Sequence, residues 1–388
     1  MKILYTCFLL LLSVQSASAQ AIQPLLSNNP LKSHLDSVIQ KGATAYMKNK
    51  GTVGLMIGVC KDGYSYIYSY GEALKGTGRL PQSDQLFNLG SVAKTFVGTM
   101  LAQAVVENRV KLTDDIRLYL PNGYPNLQYN GYPIKLVDLA NHTSGLPGSA
   151  REFPASVMDS ITKLSLPKQL HFFLGFNQDT LLKDLHKFKI DTIPGTKYRY
   201  NGNAMEVLIL LLERIYKQPY EILVTQYLET HLSMLYTRTR IPVNQLGRFI
   251  QGYNGEEKPV KWYDLEINKG ADINTNLFYP GGPSMNSTMN DMMKYLQAQL
   301  KGNDPAIKLT QQLTWGNNPK DFAIGLNWMF DREDGVNDYY HEGHTGIGFN
   351  TLCEFYPTRH LGFMIVVNDN IGQDKVSQLE KDVYKELR

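Results

Sequence analysis

The sequence predicts an α/β protein: an antiparallel sheet built from both ends of the chain and flanked by helices, with a large helical lobe inserted. Three observations predict it. Strand-like runs gather toward the two ends, at residues 54–60 and 64–70 and again at 339–345, 349–356 and 361–368. Residues 91–300 carry mostly helical periodicity, broken by loops rich in Pro, Gly and Asn such as 121–133 and 254–283. Consecutive strands are parted by hairpin-length turns, which makes them antiparallel.

The elements follow in chain order. Lys2, the apolar run 3–12 and the small residues Ala17-Ser18-Ala19 read as an export signal cut before Gln20. That run is shorter than the roughly 20 residues a bilayer requires, and no later segment reaches that length, so no stable membrane span is expected after cleavage. Leu31, Leu35, Val38, Ile39, Ala43 and Tyr46 recur at spacings of three and four, the apolar face of a helix. Residues 53–60 read as a buried strand, Lys61-Asp62-Gly63 as a turn, and 64–70 as its hairpin partner. Val376, Leu379, Val383 and Leu387 form a closing helical stripe.

Composition narrows the function. The 388 residues carry 39 Lys plus Arg and 36 Asp plus Glu, a formal charge of +3, with 43% apolar residues. A nucleic-acid binder needs clustered cations, so that class is set aside. Three cysteines exclude a disulfide scaffold. Signal cleavage removes Cys7, and Cys60 and Cys353 in their strand-like runs are expected to be buried thiols.

The chemistry begins at Phe87-Asn88-Leu89-Gly90-Ser91-Val92-Ala93-Lys94-Thr95-Phe96, which holds S-x-x-K. The apolar residues that follow mark a helix starting near Ser91. Residues three apart share a helix face, so Lys94 stands one turn above Ser91. A serine hydroxyl needs a base to become nucleophilic, and a lysine in a dry pocket can lose its charge and serve. Two further S-x-x-K matches, at Ser160 and Ser165, lie in a polar connector without a strand-to-glycine entry.

The segment 87–96 resembles the active-serine segment of the serine β-lactamase and penicillin-binding-protein superfamily. It looks most like the branch of class C β-lactamases, D,D-peptidases and related esterases. Four more segments agree in order: Val110 to Asp115 continuing to Pro121, Leu139-Ala140-Asn141-His142-Thr143-Ser144-Gly145-Leu146-Pro147, Pro194 to Tyr200, and Gly281 to Thr288. The resemblance covers roughly residues 31–368. It implies that Tyr200 is the second catalytic residue, as a phenolate or proton relay beside Lys94. This sequence departs from the family's Y-x-N, reading Tyr200-Asn201-Gly202, so Asn201 or Asn203 is left to supply the amide.

The third motif, K-T-G or H-x-G, has two registers in His341-Glu342-Gly343-His344-Thr345-Gly346-Ile347. His344-Thr345-Gly346 is the expected one, because it directly precedes a turn, and His341 is the alternative. By resemblance, Thr345 and Gly346 then line the substrate, and the N–H groups of Ile347 and Ser91 form the oxyanion hole. His341 and His344 are one residue short of the H-E-x-x-H zinc pattern, and the nearby glycines oppose a helix, so no metal is expected. No organic cofactor is implied. His142 is read as structural.

The resemblance implies a secreted or periplasmic serine hydrolase of a small molecule or peptide, cleaving a D-Ala-type peptide, a small ester or a β-lactam. The alternative is an inactive module that binds cell-wall peptides. Residues 1–19 are expected to be the signal and 20–388 one catalytic unit, with an α/β lobe at 30–90 and 331–388 and a mainly helical lobe at 91–330.

Overall fold

The computed structural model describes residues 25–121, 123–148, 159–161, 163–165, 168, 178–260, 284–316, 322–333 and 335–388. The expected signal peptide and Gly281–Pro283 lie outside them.

Helix α1, His34–Tyr46, starts at a capping box. Ser33 Oγ accepts from the Asp36 N–H at 3.1 Å, and the Asp36 carboxylate accepts from the Ser33 N–H at 2.9 Å. Strands β1, Gly54–Lys61, and β2, Tyr64–Gly71, form the expected hairpin. Its turn residues Asp62 and Gly63 both have positive φ, the conformation that matches the twist of paired strands. Strand β3, Leu86–Asn88, leads to α2, Lys94–Val106.

The middle of the chain holds the two-residue strands β4, Gln128–Tyr129, and β5, Tyr132–Pro133, then helices α3, Leu136–Ala140, α4, Gln178–Leu185, α5, Gly202–Tyr216, and α6, Tyr220–Leu232. Short strands β6, Gly252–Tyr253, β7, Pro259–Val260, and β8, Asn286–Thr288, follow, with helices α7, Met289–Lys301, and α8, Pro305–Thr310. Strands β9, Ala323–Gly325, β10, Trp328–Glu333, β11, Val336–Thr345, β12, Phe349–Tyr356, and β13, Leu361–Val367, precede α9, Gln373–Leu387.

Seven strands make one antiparallel sheet in the order β2-β1-β13-β12-β11-β10-β9. Both chain ends therefore build it, and β1 lies between β2 and β13. The sheet begins its C-terminal part at Ala323, earlier than the 331 read from sequence. Strands β12 and β13 are buried along their whole length because both faces are covered. On one face Ile39, Ala43 and Tyr46 of α1 pack with Val376, Leu379 and Val383 of α9 against Leu55, Ile57 and Phe363. The other face joins the core of the helical lobe, where Met289 and Met293 of α7 press on β1. Gly58 makes that approach possible, since a Cβ there would stand 2.3 Å from Met293 Sδ. Cys60 and Cys353 are buried free thiols, as expected.

Candidate active site

Ser91 sits where the sheet lobe meets the helical lobe. Strand β3 pairs with β8, and Asn88 Nδ2 donates to Asn286 Oδ1 at 2.9 Å. Asn88 Oδ1 then accepts from the Gly90 N–H at 3.0 Å, turning the chain sharply. Gly90 has φ +54°, and a Cβ there would lie 2.9 Å from the His344 nitrogen, so both conformation and contact call for glycine. A 3₁₀ turn, Gly90–Ala93, carries Ser91 into α2, whose first residue is Lys94.

The predicted spacing produces a direct contact. Lys94 Nζ donates to Ser91 Oγ at 2.9 Å. Lys94 is only 5% exposed, and among the described residues it is the one fully buried lysine or arginine. Burial pulls its pKa down to about 8, because the ammonium loses its hydration. A substantial fraction of the amine is then neutral at mildly basic pH, as a base for Ser91 requires.

Tyr200 joins this pair. Its hydroxyl hydrogen-bonds with Ser91, and its ring centroid lies 5.2 Å from Lys94 Nζ. The residue is 45% exposed, but desolvation on its cleft side pushes the phenol up to about 12, and the Ser91 hydrogen bond only partly opposes this. A phenol held up in this way favours the relay over the phenolate, of the two roles read from sequence.

His142, read as structural, packs its ring against Tyr200 with centroids 4.5 Å apart. Its Nδ1 accepts the Asn201 N–H at 3.1 Å, which places the proton of the neutral ring on Nε2. Burial, with Lys94 and His341 adding to it, pulls its pKa down to about 3. Composition gave no hint of this contact; the HTSGLP resemblance marked the segment but not its partner.

The third motif corrects the expected register. His341, not His344, lies beside Tyr200, with ring centroids 6.3 Å apart, and it is buried. Side chains alternate along a strand, and 341 and 344 differ by an odd number, so they face opposite sides. Glu342, on the other face, accepts from Ser377 of α9 at 2.6 Å. His344 is exposed, and its Nδ1 pairs with Asn350 Oδ1 at 2.7 Å. Two imidazoles on opposite faces also cannot converge on one ion.

Gly343 completes the H-x-G pattern. A Cβ at Gly343 would lie 2.3 Å from the Leu89 carbonyl and 2.1 Å from Thr351 Oγ1, so β11 touches the serine loop there. The next backbone nitrogen, that of His344, faces Gly90. Thr345 Oγ1 accepts from the Phe349 N–H at 3.0 Å and closes the β11–β12 turn. Gly346 stands exposed at that turn, and the Ile347 carbonyl packs on Gly252.

Neither asparagine beside Gly202 presents its amide. Asn201 caps α5 by accepting from the Ala204 N–H at 3.1 Å, and its Nδ2 donates to the Leu146 and Pro147 carbonyls at 2.6 and 3.1 Å. Asn203 Nδ2 donates to Pro147 at 2.7 Å. Both pin the 142–147 loop to α5. The pairing reads as structural, and Gly202 leaves that place in the cleft without a side chain.

Comparison with known proteins gives the family. The family model described as Beta-lactamase matches residues 39–383. The D-alanyl-D-alanine-carboxypeptidase/endopeptidase AmpH of Escherichia coli K12 is 24% identical over 366 residues, covering 90% of this chain and 87% of that one. A beta-lactamase of Lysobacter lactamgenus is 22% identical over 382 residues, covering 89% and 90%. Among solved structures, the D-alanine carboxypeptidase AmpC of Burkholderia cenocepacia superposes with a TM-score of 0.71 at 21% identity, covering 90% of this chain and 98% of that one. The beta-lactamase/D-alanine carboxypeptidase of Yersinia pestis superposes with the same TM-score at 23% identity, again covering 90% and 98%. The chain belongs to the β-lactamase family, within the serine β-lactamase and penicillin-binding-protein superfamily and on its class C-like side.

Proposed function

We propose that this protein is an exported serine hydrolase that works through an acyl-enzyme on Ser91. The observation that carries the reading is the 2.9 Å contact from buried Lys94 Nζ to Ser91 Oγ. Neutral Lys94 takes the serine proton as Oγ attacks the substrate carbonyl. Tyr200, bonded to Ser91, passes a proton to the leaving group. The N–H groups of Ser91 and His344 hold the developing oxyanion. Water enters on the same base and releases the acyl group. Residues 20–388 act as one catalytic unit.

The substrate lies along the β11 edge. The β10 pairing ends at Met329 with Tyr340, while β12 continues to pair as far as Thr345. Residues 341–345 thus offer one strand edge with no ladder partner on the β10 side among the described residues. An extended peptide or acyl chain fits such an edge. The reading is hydrolysis of an amide or ester, of D-Ala-peptide or small-ester type. Gly202, the pinned amides of Asn201 and Asn203, and a histidine for the third motif's lysine favour a peptidase or esterase over a dedicated β-lactamase.

The test is steady-state turnover of an aryl ester, a D-Ala-D-Ala peptide and a penicillin by the mature protein. Turnover of the ester or peptide that disappears in Ser91→Ala supports the reading. No turnover of any of the three, or turnover surviving Ser91→Ala, overturns it.

A further inference from the structure

His142 ends α3 as the left-handed residue of a Schellman turn, with φ +57°. Its N–H donates to the Leu139 carbonyl at 3.2 Å, and the Thr143 N–H donates to the Asp138 carbonyl at 2.8 Å. Glycine or asparagine serves such a turn best, so the turn itself does not call for an imidazole.

The surroundings of Tyr200 do. The His142 carbonyl accepts from the Arg199 N–H at 2.9 Å, and its Nδ1 accepts from the Asn201 N–H at 3.1 Å. One residue thus holds the backbone on both sides of Tyr200. Its ring also backs the Tyr200 ring, with centroids 4.5 Å apart against 6.3 Å for His341. Tyr200 is almost half exposed, so few neighbours fix its ring, whereas His142 is 1% exposed. A backbone N–H only donates, so Nδ1 must present a lone pair, and an imidazolium has none. The clamp therefore requires a neutral histidine.

We infer that His142 is a positioning residue for proton transfer, holding the Tyr200 hydroxyl at Ser91 and acting on the reaction only through Tyr200. This inference rests on the acyl-enzyme reading above and deepens it. In acylation the Ser91 proton goes to Lys94, and the Tyr200 proton goes to the departing oxygen or nitrogen as its bond to the carbonyl carbon breaks. Lys94 then restores the tyrosine. That donation matters most for a group that cannot leave as an anion.

The experiment measures kcat/KM on the p-nitrophenyl and ethyl esters of N-acetyl-D-alanine. Nitrophenolate departs as a stable anion, and ethoxide must be protonated as it leaves. Wild type is compared with His142→Gly, His142→Asn, Tyr200→Phe and the double variant carrying His142→Gly and Tyr200→Phe. Glycine and asparagine both suit the left-handed backbone, and asparagine Oδ1 returns an acceptor where Nδ1 stood. His142→Gly should cost about 10–100-fold on the ethyl ester and less than about threefold on the nitrophenyl ester. His142→Asn should be at least about threefold more active than His142→Gly on the ethyl ester, the scale of one hydrogen bond. Once Tyr200 is phenylalanine, the glycine substitution should cost less than about threefold on the ethyl ester. Should His142→Gly not fold, His142→Phe, which keeps a ring and loses the acceptor, is put through the same comparison. Equal effects on the two esters, a loss that persists in full without the Tyr200 hydroxyl, or a wild type that cleaves the nitrophenyl ester alone overturns the inference. Any of these with a fluorophosphonate adduct on Ser91 removes this inference alone. No adduct at all removes the acyl-enzyme reading with it.

Discussion

Replacing Lys94 with methionine separates stability from catalysis. Methionine keeps the length of the buried stem and removes the charge. Burial lowers the Lys94 pKa from 10.5 to about 8. At 1.36 kcal/mol for each pH unit, holding the ammonium in the folded state costs about 3 kcal/mol. The hydrogen bond to Ser91 and the contact with the Tyr200 ring are lost in the variant and offset about 1–2 kcal/mol of that. Lys94→Met should therefore be more stable than wild type by about 1–2 kcal/mol at pH 7.

The sign follows from proton binding. Between about pH 8 and 10.5 the unfolded chain still holds the lysine proton and the folded chain has released it. Wild-type stability then rises with pH relative to the variant, and the variant's advantage is present below about 8 and lost by 10.5. Urea unfolding at several pH values measures this. Acylation by Lys94→Met should fall by about 10²–10⁴, as for loss of a positioned base. A variant that is less stable across the whole range, or that acylates at the wild-type rate, refutes the reasoning.

Three further outcomes are expected. Wild-type kcat/KM should rise with pH through a midpoint near 8, as Lys94 loses its proton, with no falling limb from Tyr200 below about 11, because that phenol is pushed up to about 12; a pH–rate profile checks both. The carboxyls of Glu354 and Glu380 both lie on the Tyr356 hydroxyl, at 2.7 and 3.1 Å, and burial beside Glu380 and Asp338 raises the Glu354 pKa well above the ordinary value. A raised acid costs stability above its unfolded value of 4.5, so Glu354→Gln should stabilise the protein at pH 7–8 and lose that gain near pH 4, read by thermal melts. Gly343→Ala would drive a Cβ into the Leu89 carbonyl, a backbone atom, and should lower stability by about 1–3 kcal/mol and reduce activity together, read by urea unfolding and ester turnover.

Much of the fold was legible because the termini carry the period-2 and apolar runs of strands β1, β2, β12 and β13. Strand β9 was not, since Ala323–Gly325 is too short for a period. Ser91 and Lys94 were legible because their contact is local, three residues along one helical turn. The register of the third motif was not. His341 and His344 stand in one glycine-rich run, and pairing with β12 decides which of them faces Ser91. Gly343 held the signal, as the glycine two residues after a histidine where another backbone must approach. The fates of Asn201 and Asn203 depend on carbonyls of residues 146 and 147, more than fifty residues earlier, which no local pattern reveals.

The central claim is that Ser91 is the nucleophile. Intact-mass analysis after a fluorophosphonate tests it most directly, with peptide mapping of the labelled chain. The account predicts a single adduct on Ser91 in wild type, slower labelling in Lys94→Met and none in Ser91→Ala. An adduct on another residue, or equal labelling of Ser91→Ala, would contradict it.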